Sequence, residues 1–247
     1  MSNKDDEMIE DIIKKRLVPS SDYIYGFANL NRLLTDEFIE FPYGISIGKR
    51  LDDKIVDLIE NGPTLEYFNH YKDVNNELNN LANSICDDLK KENVNCIGIV
   101  PTISPLSNEF KPYTEKLRYK ISHKMVATRA GLGWIGKTDL FISKEFRPRL
   151  RLVSILIDRP VKITRKTVDV SKCGKCDICV KKCPATAANG ILWDIITDRD
   201  AFFDAYKCRN KCRELAKLLL NQDTTICGIC VSVCPFGKMN SRKNGND

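Results

Sequence analysis

Cys173-Gly-Lys-Cys176-Asp-Ile-Cys179-Val-Lys-Lys-Cys183-Pro184 is the stretch that decides the fold of the C-terminal third of this chain. Its cysteines follow the spacing C-x2-C-x2-C-x3-C-P, which is that of thiolate ligands to [4Fe–4S] clusters. Three thiolates on one tight loop can hold three irons of one cluster, while the following helix carries the fourth thiolate to a second cluster. The stretch therefore predicts a pair of clusters.

A second cysteine motif, Cys227-Gly-Ile-Cys230-Val-Ser-Val-Cys234-Pro235, has the same C-x3-C-P ending but lacks one upstream ligand, which Cys208 can supply. Pairing the two motifs crosswise assigns eight ligands. Cluster 1 takes Cys173, Cys176, Cys179 and Cys234, and cluster 2 takes Cys183, Cys208, Cys227 and Cys230. Cys212 is left over: it could substitute for Cys208, or it could be a spare thiol one helical turn away.

The distribution of the 11 cysteines favours metal over disulfides. Nine lie between Cys173 and Cys234, and a reducing cytoplasm would not keep disulfides in such a group. Zinc is the alternative metal, since paired C-x2-C motifs also make tetrahedral zinc sites, but it does not explain the two C-x3-C-P endings. The remaining two, Cys86 and Cys96, are expected to be small buried apolar residues.

Upstream of the cysteines, helical and strand patterns alternate over about 160 residues, which predicts an α/β (α+β) layered domain. We expect a domain over residues 1–163, a two-cluster module over 164–240 and a disordered tail over 241–247. The predicted helices are 5–18 and 52–89, the latter interrupted near Gly62-Pro63, and the predicted strands are 23–28, 45–48, 95–100, 140–143 and 150–157.

Composition narrows the function classes. No apolar run approaches the roughly 18 residues of a membrane span, and the charged N-terminus is neither a secretory nor a transit signal, so we expect a cytoplasmic protein. A net charge of +6 could help to bind tRNA or another polyanion, although basic and acidic residues are interleaved. Neither paired carboxylates nor a Ser–His–Asp pattern is evident, which leaves hydrolase chemistry without support.

A third distinctive segment is Ala130-Gly-Leu-Gly-Trp-Ile-Gly-Lys137, here called the glycine–tryptophan block. Its three glycines permit positive φ and let the backbone approach a ligand closely. The alternative is a glycine-rich turn between a helix and the strand near Leu140. The block has neither the G-x-G-x-x-G spacing of a dinucleotide site nor the pattern of a phosphate-binding P-loop.

The glycine–tryptophan block, followed by an apolar strand and the double-cluster cysteines, resembles the epoxyqueuosine reductase family from about Tyr23 to Lys238. The resemblance implies a nitroreductase-like cobalamin-binding domain joined to a two-cluster ferredoxin-like module. It further implies that electrons from a donor such as a ferredoxin or flavodoxin pass through both clusters to a base-off cobalamin, which reduces the epoxide of epoxyqueuosine in tRNA. The residues implied to lie against cobalamin are Gly131, Gly133, Trp134, Gly136 and Lys137.

One position departs from the family. Its members carry a proton-donating aspartate in an Asp-Ser-x-Pro context, and counting back from Ala130 places Leu117 there. His123 and Tyr119 are candidate proton donors in its place, since both side chains can donate in a reduction. The alternative for His123 is a capping or packing role. The substrate could therefore differ, and the alternative function is an electron-transfer protein or reductive activator of a corrinoid partner.

Overall fold

The computed structural model describes residues 3–17 and 21–237. Its helices and strands follow the sequence closely, and the predicted tail over 241–247 lies outside the described residues. The helices are α1 (Asn3–Leu17), α2 (Asp53–Asp57), α3 (Leu65–Lys91), α4 (Phe110–Lys116), α5 (His123–Arg129), α6 (Ile178–Lys181), α7 (Arg199–Phe202), α8 (Ala205–Leu220) and α9 (Ile229–Ser232). The strands are β1 (Tyr23–Asn29), β2 (Tyr43–Arg50), β3 (Cys96–Ile99), β4 (Gly133–Ile135), β5 (Phe141–Ser143) and β6 (Leu150–Ile157).

All seven predicted elements are present, with ends displaced by at most a few residues, and the mixed α/β class is confirmed. Gly62-Pro63 separates α2 from α3, as the interruption predicted, because proline cannot continue a helix. Strand β4 was not predicted: three of the residues in the glycine–tryptophan block are extended and pair with β5. Among the described residues, no helix is long and apolar enough to cross a membrane.

Chain contacts divide the molecule into two units, each assembled from three segments. The first unit comprises Met1–Lys49, Val74–Leu132 and Arg151–Val168, and the second comprises Arg50–Asp73, Gly133–Leu150 and Asp169–Asp247. The cysteine module thus shares its unit with two segments that lie far upstream of it. The predicted domain limits at residues 163 and 240 stay a prediction.

The first unit is built around a four-stranded sheet in the order β1-β2-β6-β3, in which β1 and β2 are antiparallel, as are β3 and β6. Helix α3 contributes an apolar stripe at helical spacing, because Val74, Leu78, Ala82, Ile85 and Leu89 are all buried. Cys86 and Cys96 are buried as predicted. Their burial is consistent with packing as small apolar residues.

The second unit has two short helices that each end just before a Cys-Pro pair. Helix α6 precedes Cys183-Pro184, and α9 precedes Cys234-Pro235. Gly228 begins α9 at a φ of 87°, where a Cβ atom would lie 2.4 Å from the Ile59 side chain. This close approach requires glycine. The β4–β5 hairpin belongs to the same unit, and α6 packs against α9.

Candidate iron–sulfur and cofactor sites

The four thiols predicted for cluster 1 line one cavity in the second unit. Cys173 and Cys176 reach it from the loop before α6, Cys179 from α6, and Cys234 from the end of α9. Cys230 also lines it. A cavity surrounded by soft thiol ligands fits a multi-atom iron–sulfur cluster, because each iron takes a thiolate from a different side. Among the described residues, no group of three ligating side chains is arranged around a single metal ion.

The thiols predicted for cluster 2 lie around Cys230. Burial raises the pKa of the Cys230 thiol well above its usual value, and negative charge on Cys227, Cys208, Cys179 and Cys183 raises it further. Three of these four are the other ligands that the sequence predicts for cluster 2, and Cys179 is a predicted ligand of cluster 1. A bound iron cluster would remove this mutual repulsion, since metal binding deprotonates thiols and shares their charge. The donor set therefore fits a second cluster.

Cys212 lies within the cluster 2 group but makes contacts of a different kind. Its Sγ is 3.9 Å from the Sγ of Cys208. Its thiol also donates a hydrogen bond to Cys227, which lowers the pKa of Cys227 to about 7. Ligand sulfurs of one cluster sit on different irons and point away from one another, so two touching thiols do not both bind it. The contacts fit Cys212 as a hydrogen-bond donor beside the ligands.

The glycines predicted to contact cobalamin each have a packing reason within the chain. Gly131 has a φ of 70°, and a Cβ atom there would lie 2.6 Å from the Lys166 carbonyl oxygen. A Cβ on Gly133 would lie 2.1 Å from the Ile142 carbonyl oxygen, across the β4–β5 pair. On Gly136 it would meet the Ile142 side chain at 2.8 Å and the Cys173 Sγ at 3.5 Å. The role of these glycines at cobalamin stays a prediction.

Trp134 and Lys137, the other two residues predicted to contact cobalamin, lie beside the cluster 1 thiols. The Trp134 indole N–H donates a hydrogen bond to the Cys173 Sγ over 3.5 Å. Lys137 lines the same cavity as the thiols and is only 6% exposed. The structure thus brings these two residues together with cluster 1 ligands, a relation that the sequence analysis missed because the contacts join segments far apart in the chain.

His123, in the first unit, has both ring nitrogens engaged. Its Nε2 lies 3.1 Å from the Val100 carbonyl oxygen and must donate to it, so Nδ1, 2.9 Å from the Ser154 Oγ, accepts. Burial lowers the pKa of His123 to about 4, although the Val100 carbonyl opposes this and Arg151 adds to it. A neutral imidazole held in this way favours the packing role over proton donation at neutral pH.

Tyr119, the other candidate proton donor, lies in the same aromatic group. Its ring centroid is 4.9 Å from that of Tyr113 and 6.2 Å from that of His123. Leu117, at the position of the family's aspartate, ends α4 in the left-handed conformation and is buried. Tyr119 is thus the remaining candidate of the two, and its catalytic role stays a prediction.

The depressed pKa of His123 predicts a specific loss of stability in acid. The unfolded chain takes up a proton near the usual pKa of about 6.5, whereas the folded chain does so only near pH 4. Stability is therefore complete above about pH 6.5 and falls as the pH drops toward 4. Between pH 7 and pH 5 the free energy of unfolding should decrease by about 2 kcal/mol through this group alone.

Urea unfolding followed by far-UV circular dichroism at the two pH values measures this loss. The His123→Gln variant can still donate to Val100 but does not titrate, so it should lose about 2 kcal/mol less than the wild type. Because both proteins carry the same cysteine module, its own acid sensitivity cancels in the comparison. An equal loss in both would contradict the assignment of a buried neutral histidine.

Comparisons with known proteins agree with the cysteine framework. Residues 172–237 match the family described as 4Fe-4S double cluster binding domain. This match confirms the predicted double-cluster module. It covers the two cysteine motifs together with Cys208 and Cys212.

Two curated relatives are named epoxyqueuosine reductase. The protein from Aliivibrio fischeri is 27% identical over 145 residues, which cover 55% of this chain and 38% of the relative. The protein from Atelocyanobacterium thalassa is 32% identical over 126 residues, which cover 50% of this chain and 40% of the relative. The alignments thus span well under half the length of these relatives.

Solved structures share the fold. An epoxyqueuosine reductase from Streptococcus thermophilus is 20% identical with a TM-score of 0.55, over 96% of this chain and 67% of that one. A reductive dehalogenase described with a mechanism for B12-dependent dehalogenation is 14% identical with a TM-score of 0.61, over 87% and 30%. Residues 172–237 thus belong to the 4Fe-4S double cluster binding domain family, and about half of the chain is similar in sequence to proteins named epoxyqueuosine reductase.

Proposed function

We propose that this protein is an iron–sulfur oxidoreductase that uses cobalamin to reduce an organic substrate. The relatives' name, epoxyqueuosine reductase, states such a reduction. The observation that carries the proposal is the gathering of the predicted thiol ligands of cluster 1 around one cavity. When bound, two [4Fe–4S] clusters would supply one-electron transfer at low potential, and cobalamin would supply two-electron chemistry at carbon. An electron donor of the ferredoxin or flavodoxin type belongs to the same proposal.

Cobalamin is supported by fold likeness. The reductive dehalogenase that shares the fold is described with B12-dependent chemistry, and an epoxyqueuosine reductase that shares it was solved with an epoxyqueuosine-modified tRNA stem loop. In this chain, Tyr119 would supply the proton that a reduction requires, because a phenol in an aromatic group can donate to a carbanion-like centre. Epoxyqueuosine in tRNA is the substrate class that the relatives' names suggest.

One observation favours a second candidate function. Leu117 is an apolar, buried residue at the position where the family has its proton-donating aspartate. A chain without that acid could pass electrons to a corrinoid partner without reducing a substrate of its own. The second candidate is therefore an electron-transfer protein or a reductive activator.

Cofactor analysis separates the two. Protein purified without oxygen is incubated with hydroxocobalamin, desalted and analysed for iron, sulfide and cobalt, with an unrelated protein carried through as a control for adhering corrinoid. The cobalamin reductase should retain about eight irons and about one cobalt per chain. About eight irons without cobalt would reject it in favour of the electron-transfer protein.

A further inference from the structure

The β4–β5 hairpin covers the cavity that the cluster 1 thiols line. Strand β4 pairs with β5 with Trp134 opposite Ile142, and the turn between them is closed by hydrogen bonds from the Gly136 N–H to the Leu140 carbonyl and from the Asp139 N–H to the Gly136 carbonyl. Gly133 lets the two strands approach each other closely, and Gly136 leaves room beside the Cys173 Sγ. The hairpin places three polar side chains, those of Trp134, Lys137 and Thr138, next to the thiols.

Trp134 makes the most direct of these contacts. Its indole N–H donates to the Cys173 Sγ over 3.5 Å, and the residue is 4% exposed. The Phe236 ring meets it edge-on, with centroids 6.0 Å apart and planes at 81°. Because Phe236 follows Cys234-Pro235, the indole is held between two segments that carry cluster 1 thiols. Its orientation toward sulfur is therefore fixed by packing.

Thr138 and Lys137 add a second hydrogen bond and a full positive charge. The Thr138 hydroxyl hydrogen-bonds the Cys179 thiol, and its residue is buried. Lys137 lines the cavity and is buried as well. In so little solvent, a charge or dipole acts on its neighbours more strongly than it would at the surface.

Reduction adds one electron to the cluster and breaks no bond. The contacts of the hairpin therefore affect electron transfer through the charge that this electron adds. The reduced cluster and its thiolates are more negative, so hydrogen-bond donors to sulfur and a nearby cation stabilise the reduced state more than the oxidised state. We propose that Trp134, Thr138 and Lys137 raise the reduction potential of the cluster held by Cys173, Cys176, Cys179 and Cys234. The inference rests on the proposed binding of that cluster, but it does not depend on cobalamin.

A redox titration followed by electron paramagnetic resonance tests this assignment on the anaerobic holoprotein. Trp134→Phe keeps an aromatic ring against Phe236 and loses only the N–H. We expect one of the two one-electron steps to move to lower potential, so that the ratio of reduced to oxidised cluster at a fixed potential falls about tenfold, or about 59 mV. The other step should stay in place. Thr138→Val, of nearly the same shape, should lower the same step.

Lys137→Met should lower that step as well, by about tenfold, because it removes a positive charge that the Asp177 carboxylate offsets only in part. The chain offers two matched controls. Trp193→Phe removes the other indole N–H of the second unit, from a residue packed against Ile135 and Phe202. Lys175→Met removes an exposed charge from the loop that carries Cys173 and Cys176. Both controls should titrate like the wild type, since solvent screens an exposed charge.

The iron content and the two reduction potentials together distinguish failure of this inference from failure of the proposed function. Fewer than about four irons in the wild type would overturn both, since no cluster 1 would be present to tune. About eight irons with unchanged potentials in the Trp134, Thr138 and Lys137 variants would overturn the inference alone. If Trp134→Phe lost iron, Thr138→Val and Lys137→Met would still decide, because each keeps a side chain of nearly the same size. A lowered potential in these variants supports the inference, whether or not cobalt is bound.

Discussion

Cys176→Ser is expected to lower the iron content from about eight to about four atoms per chain, because a serine hydroxyl does not replace a soft thiolate on iron. Cys176 lines the cluster 1 cavity together with Cys173, Cys179 and Cys234. Cys176 is not among the cysteines that act on the Cys230 thiol, so the other cluster should remain. Iron and sulfide analysis of protein purified without oxygen measures the loss.

The same substitution should also destabilise the second unit. Cluster binding contributes to folding, since the ligands are held together only in the folded chain. We therefore expect limited proteolysis to cut residues 169–237 faster in Cys176→Ser than in the wild type, while segments of the first unit keep their resistance. Retention of about eight irons would contradict the ligand assignment.

Cys212→Ser is the matched control for this prediction. It changes a thiol of the same unit, 3.9 Å from Cys208, that the contacts fit as a hydrogen-bond donor. A serine hydroxyl can donate to Cys227 in its place, so the variant should keep about eight irons. Cys208→Ser should lose about half. The reverse result for these two variants would exchange their roles.

The cysteine module could be predicted from sequence because its chemistry fixes its spacing. Ligands on one loop must follow one another at two or three residues, so Cys173 to Cys183 identify the clusters without any structure. Strand β6 was equally predictable, since six of its eight residues are apolar. In both cases, residues close in sequence determine the feature.

The sequence carries no such local pattern for contacts between segments that lie far apart in the chain. The hydrogen bond from Trp134 to Cys173 joins residues 39 positions apart, and the three glycines near Trp134 are as compatible with a ligand loop as with a hairpin. β4 has three residues, too few for an alternating pattern to be seen. The hydrogen bonding of His123 involves Ser154, which lies 31 positions away. Sequence reasoning therefore named these residues but not their neighbours.

Arg149, which the sequence did not single out, also makes its contacts with a distant segment of the second unit. Its side chain is 2% exposed and lies just before β6. Its Nη1 is 2.9 Å from the Asp53 Oδ1, and its Nη2 is 2.5 Å from the Asp57 Oδ1. Both carboxylates are on α2, which packs against α9, the helix that carries Cys230. The buried Arg149 guanidinium thereby holds α2, and α2 in turn packs against the helix that carries Cys230.

Arg149→Met is expected to lower the free energy of unfolding of the holoprotein by about 3 kcal/mol, because it leaves two carboxylates facing an apolar side chain. This loss of free energy lies at the lower end of the range for breaking a buried ion pair. The reason is that Asp53 and Asp57 are 22% and 47% exposed, so water can partly solvate them. Thermal unfolding without oxygen, followed by circular dichroism, should show a melting temperature about 6–12 °C lower.

Arg50→Met provides the control, since Arg50 pairs with the same Asp53 carboxylate but its side chain is 32% exposed. An exposed pair contributes less than about 1 kcal/mol, so this variant should melt within about 4 °C of the wild type. Equal shifts of the melting temperature in the two variants would mean that the burial of Arg149 does not strengthen its ion pairs. A larger shift for Arg149→Met, with faster loss of iron on warming, would show that the α2–α9 contact stabilises the cluster 2 thiols.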